Sequence, residues 1–144
     1  MKSNVQISQA SAFALGPGAT VGGNLQIQSL SAGLPPGTVC STRVNGNLQV
    51  QNNASPVAIG GTTAQNCAGN TVGGNLLVDA NTAAVWIDNN TVAGALHVDN
   101  DSATTDVSGN SVGTNMECES NSTVTYIALN MVQGKNQGQC AASR

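Results

Sequence analysis

The sequence predicts an all-β chain wound as a single-stranded parallel β-solenoid. Three observations predict it: a phrase that recurs at near-constant spacing, apolar–polar alternation within each copy, and a composition suited to a narrow core. The chain has 144 residues, of which 40% are hydrophobic but only 2% aromatic and 8% charged, with 17 glycines. So few bulky side chains would leave a wide globular core unfilled. A net charge of −3 with plentiful β-branched residues argues equally against disorder. The length suits one domain, residues 1–144.

The phrase is Val-x-Gly-Asn-Leu-x-Val, and a repeat of this kind decides the architecture before any local reading. Copies run from Val21 to Ile27, Val44 to Val50, Val72 to Val78, Val92 to Val98 and Val112 to Cys118, and a decayed copy starts at Val132. The leading valines are spaced 23, 28, 20, 20 and 20 residues apart. Upstream, Asn4-Val5-Gln6-Ile7 matches Asn24-Leu25-Gln26-Ile27. The reading is about six coils of ~20 residues, starting near residues 1, 21, 44, 72, 92 and 112, with a C-terminal cap over 132–144.

Within a copy, Leu25 and Ile27 point one way while Gln26 and Gln28 point the other, and period two means strand. A second apolar pair is expected 13 and 15 residues after each leading valine, at Leu34/Pro36, Val57/Ile59, Val85/Ile87, Thr105/Val107 and Thr125/Ile127. That offset places the extra residues of both long repeats after the second pair, where a loop can bulge without disturbing register. Three corners follow. One carries Gly-Asn pairs, one carries Asn53, Asn81, Asp101 and Asn121, and one carries Asn70, Asn90, Asn110 and Asn130. Gly and Asn accept left-handed backbone at sharp corners, and stacked Asn side chains form hydrogen-bonded ladders. Three corners per coil imply a roughly triangular section. At about 4.8 Å per coil, six coils stand about 29 Å tall. Parallel crossovers favour a right-handed wind.

The strings Asn-Thr-Val-Gly-Gly-Asn-Leu over 70–76, Asn-Met-Glu-Cys-Glu-Ser-Asn over 115–121 and Asn-Gln-Gly-Gln-Cys over 136–140 resemble those of secreted bacterial parallel β-helix repeat proteins, mostly uncharacterised. The resemblance covers most of the chain and implies export and a stacked fold. It carries no active-site residues. The two long repeats, Ala95 and Thr114 depart from the pattern.

Four cysteines sit on adjacent coils in two sets, so Cys40–Cys67 and Cys118–Cys140 are the expected disulfides. Each is worth roughly 3–4 kcal/mol in the chain-entropy model. Zinc is the rival reading, but no Cys-x-x-Cys pair exists and His97 is the single histidine. The second bridge is expected to cap the core, because Asn136 and Gly138 replace the inward Leu and Val. At the other end Val5 and Ile7 begin a strand at once, with Phe13 the one bulky residue able to cover it. An open end invites strand addition, so either the module belongs to a longer chain or copies stack end to end.

All seven acids lie between Asp79 and Glu119. Asp79, Asp99 and Glu119 form one expected outward column, with His97 and Glu117 in the neighbouring one. Stacked carboxylates can exchange protons, hold a cation such as calcium, or form a solvated acidic face. Trp86 and Tyr126 share another outward column with Asp106 between them. Their spacing of about 10 Å suits alternate sugars of an extended glycan; two isolated exposed aromatics would equally need no explanation. Thr20, Thr71, Thr91 and Ser111 make a hydroxyl column of the kind that binds ice, interrupted by Arg43 and Met131.

Lys2, Arg43, Lys135 and Arg144 are scattered, so nucleic acid is not an expected partner, and no apolar run is long enough to span a bilayer. The first residues lack the apolar stretch of a signal peptide, so a secreted form is expected to be the processed one. The sequence therefore points to an extracellular or cell-surface structural or adhesive module, non-catalytic, without catalytic residues or cofactor, whose partner is itself, a glycan or a matrix. A carbohydrate-binding module using Trp86, Asp106 and Tyr126 is the alternative. A polysaccharide-active enzyme using Asp79, Asp99 and Glu119, and ice binding, stand behind it.

Overall fold

The computed structural model describes residues 3–9, 13–33, 35–61 and 67–142. Three parallel sheets run along its length, one per face, and each coil contributes one strand to each. The first sheet has seven strands: Val5–Ser8, Leu25–Gln28, Leu48–Gln51, Leu76–Asp79, Leu96–Asp99, Met116–Glu119 and Asn136–Gly138. The second has six: Ala14–Leu15, Gly37–Val39, Val57–Gly60, Val85–Asp88, Thr104–Ser108 and Thr123–Ala128. The third consists of six two-residue strands carrying the leading valines from Val21 to Val132. This is a parallel β-solenoid of about six turns.

Register follows the repeat. Leu48, Leu76, Leu96 and Met116 stack in one inward row, and Val72, Val92 and Val112 in another. Strands alternate buried and half-buried residues, so Leu, Ile and Val fill a slender interior from all three faces. Such a core suits a parallel arrangement, because each aliphatic side chain meets its own kind one coil above and below.

The second and third corners form the expected ladders. Asn70 Nδ2 donates to Asn90 Oδ1 at 2.9 Å, Asn90 Nδ2 to Asn110 Oδ1 at 3.1 Å and Asn110 Nδ2 to Asn130 Oδ1 at 3.0 Å. These three donor amides are buried and satisfied, where an unmade hydrogen bond costs about 1–3 kcal/mol. Left-handed backbone lies one residue before each rung, at Asn52, Ala80, Asn100 and Ser120 on one corner and at Gly69, Asn89, Gly109 and Leu129 on the other. The Gly-Asn corner is different from expectation, for Gly23, Gly46, Gly74 and Gly94 do not have positive φ. They are required for space. A Cβ on any of them would collide with the side-chain oxygen of Asn4, Asn24, Asn47 or Asn75 one coil earlier. That oxygen accepts the backbone N–H of the residue after the glycine at 2.8 Å.

Two expectations about the second sheet need correction. In the second coil the inward pair is Gly37/Val39, aligned with Val57/Ile59, rather than Leu34/Pro36. Leu34 itself lies outside the described residues. The three extra residues of that coil thus precede the second-sheet strand, and only the longer insertion of the third coil follows it. In the sixth coil Val124, not Thr125, aligns with Thr105, because the strand bulges before Tyr126 realigns with Asp106.

The ends differ. At one, Cys118 pairs with Cys140, Cα–Cα 5.1 Å, and Cys140 is fully buried in a 3-10 turn, Gln139–Ala142, folded on the last coil. At the other, Val5–Ser8 is the terminal strand of the first sheet, and Val5, Ile7, Phe13 and Leu15 are only partly buried. The Phe13 ring occupies the space that Gly37 leaves empty. Cys40 pairs with Cys67, also Cα–Cα 5.1 Å, across a corner of adjacent coils.

Candidate functional site

Two hollows on the outer faces gather the polar chemistry. The first lies on the first sheet and is lined by Gln51, Leu77, Val78, Asp79, His97 and Asp99. Asp79, Asp99 and Glu119 stand in register as expected, and so do His97 and Glu117. The carboxylates of the Asp column do not converge, however. Asp79 Oδ1 accepts from Asn100 Nδ2 at 2.9 Å, and Asp99 Oδ1 accepts the Glu119 N–H at 3.1 Å. The side chains that do converge are His97, Asp99 and Glu117, with one ligand atom from each within 4.8 Å of the others. His97 Nδ1 lies 4.0 Å from Glu117 Oε1. Atoms up to 4.8 Å apart stand farther from one another than donors to a single ion do, and partly exposed acidic groups commonly gather this way without one. The cluster shares only Asp99 with the expected column. Strand alternation was the signal that could have found it, since His97 and Asp99 are two residues apart on one face. Burial raises the Asp99 pKa; the Glu119 N–H and His97 oppose the shift, and Glu117 and Glu119 reinforce it.

The second hollow lies on the second sheet between Trp86, Asp88, Ala58 and Gly60. Ala58 sits one coil before Trp86 and Gly60 one coil before Asp88, so small residues open a space beside the indole. Asp88 Oδ1 accepts the Ser108 hydroxyl at 2.8 Å, which fixes the carboxylate. Burial raises the Asp88 pKa against that hydrogen bond. Trp86, Asp106 and Tyr126 align as expected, and Asp106 keeps one buried oxygen without a partner. Burial, then the Asp88 charge, raises the Asp106 pKa, and Ser108 lowers it. Asp88 is the residue that sequence reasoning missed here; it shares the Trp86 face two residues on. The side chain of Tyr126 lies outside the described residues.

On the third sheet the hydroxyl column stacks as read, with Arg43 between Thr20 and Thr71 and Met131 after Ser111. No described helix is long and apolar enough to cross a membrane. Comparison with known proteins gave no matching family model, no matching curated relative and no matching solved structure.

Proposed function

We propose that the chain is a non-catalytic structural module of a secreted or cell-surface assembly, a stiff rod whose open end joins a second copy. The contrast between its ends carries this reading. One end carries the bridge-tied turn around Cys140, while at the other no described strand pairs with the outer edge of Val5–Ser8 and its apolar side chains are half-covered. Head-to-tail filaments would require the closed end to accept a strand, so the favoured contact is open end to open end, a self-complementary two-fold arrangement. Charge opposes it little, because no carboxylate side chain precedes Asp79 and Lys2 is the one charged side chain before Arg43. Two cysteine pairs at bridging distance suit an oxidising compartment, as does the resemblance to secreted bacterial β-helix proteins.

Sedimentation over a wide concentration range, with electron microscopy, tests this. The expected particles are discrete and twice the length of one rod. Val5→Lys with Ile7→Lys should return them to single length with an unchanged β-type circular dichroism spectrum. Single rods at every concentration would remove the self-association, and long filaments would replace the two-fold contact with a head-to-tail one.

The Trp86 hollow favours a second reading, a glycan-binding face. A sugar ring would stack on the indole above Ala58 and Gly60, with Asp88 accepting its hydroxyl hydrogens. A glycan array supports it only if a signal appears and Trp86→Ala abolishes it.

A further inference from the structure

The ladder at the corner after the first sheet runs Asn53, Asn81, Asp101, Asn121 and Gln139, and Asp101 is its one acid. Each asparagine amide in this column donates to a strand carbonyl of the coil before: Asn53 to Ile27 at 3.1 Å, Asn81 to Val50 at 3.1 Å and Asn121 to Val98 at 2.7 Å. The four asparagines of the other ladder do the same. The amide also reaches the side-chain oxygen of the next rung, as from Asn53 to Asn81 at 3.0 Å.

Asp101 fills the acceptor half of this pattern. Its Oδ1 accepts the Asn81 N–H at 2.8 Å and the Asn81 amide at 2.9 Å, and its own N–H donates to Asn121 Oδ1 at 2.9 Å. The donor half is vacant. Oδ2 stands in the place of the amide nitrogen, fully buried and without a partner, on a residue only 1% exposed. The repeat aims that place at the Val78 carbonyl and at Asn121 Oδ1, both acceptors. A carboxylate there would face lone pairs with no donor, whereas a carboxylic acid supplies the one hydrogen the geometry lacks.

We propose that Asp101 folds as the neutral acid, its Oδ2 hydrogen replacing the missing amide, and that the ladder is a pH-sensitive latch that loosens when this proton leaves. The charged groups facing it are Asp79 and Asp99, both acidic and both opposing ionisation, while the rungs packed on either side present the neutral amides of Asn81 and Asn121. Burial is the largest cause raising the Asp101 pKa, against the two Asn81 hydrogen bonds. The folded chain therefore holds a proton that the unfolded chain has released. Stability is greatest below the ordinary carboxylate value of 3.8 and falls as pH rises through the raised one.

Two measurements test this. Carbon-detected NMR of the folded protein should show the Asp101 carboxyl titrating above 3.8; a midpoint at or below that value would overturn the proposal. Asp101→Asn, which completes the ladder, should melt above wild type at about pH 8, with the gap closing towards about pH 4. A gap independent of pH, or a variant less stable than wild type at about pH 8, would sink it.

Discussion

Ala80, Ser120 and Leu129 hold left-handed backbone that costs a residue with a Cβ about 1–2 kcal/mol. Leu129 also leaves 74% of its surface in solvent, so little packing offsets that cost. Leu129→Asn, the residue type that tolerates this conformation at positions 52, 89 and 100, should therefore stabilise the chain by about 1 kcal/mol. A higher urea midpoint with an unchanged slope would show it. The reverse holds at the Gly-Asn corner. In Gly74→Ala the new Cβ would meet Asn47 Oδ1 and the Gly46 carbonyl, and the stacked coils leave neither free to move. A loss of about 1–3 kcal/mol is expected, read from the same denaturation curve. The sequence announced both corners by residue type but not which physical need each served. Asn and Gly signal left-handed backbone and close approach alike, and only coordinates separate the two.

At the scale of the strand and the coil, alternation was legible wherever a strand carried two buried aliphatics, as in Leu76–Asp79 and Val85–Asp88. It failed where another residue supplied the missing volume. Gly37 is an inward position that looks empty in sequence, because the ring filling it belongs to Phe13 one coil earlier. Leu34/Pro36, three residues upstream, mimicked the expected pair. The hollow beside Trp86 was invisible for a similar reason, since it consists of what Ala58 and Gly60 lack on the neighbouring strand. The closing element was readable from Asn136, Gly138 and Cys140, and its energetics are local. Coils of a solenoid touch only their neighbours, so losing a cap should peel the end rather than melt the rod. Cys140→Ser is expected to cost about 2–5 kcal/mol. Amide exchange should accelerate in Met116–Glu119 and the last coil, with Val57–Gly60 keeping its protection. Uniform acceleration along the chain would show instead that the coils unfold as one unit.

For the whole molecule, the distribution of charge reverses the usual dependence of stability on pH. Most folded proteins weaken in acid because carboxylates paired in the native state must be protonated there. Here Asp88, Asp99, Asp101 and Asp106 all have raised pKa values, with burial the leading cause for each. Among the described residues the one ion-pair contact is His97–Glu117, so cations do little to reward ionisation. Between the ordinary carboxylate value of 3.8 and the raised ones, the folded chain binds more protons than the unfolded chain, and the slope of stability against pH is negative. The melting temperature should therefore fall as pH rises from 3.8 through the raised values and level off above them. All seven acids lie between residues 79 and 119, so the effect belongs to the coils nearer the closed end. Added salt should flatten the slope only partly. It screens repulsion among solvent-facing carboxylates such as Glu119 but leaves the desolvation of buried Asp101 untouched. Calorimetry across pH at low and high salt checks both statements. Stability that rises with pH would mean that these four carboxyls gain more from their hydrogen bonds than they lose by burial.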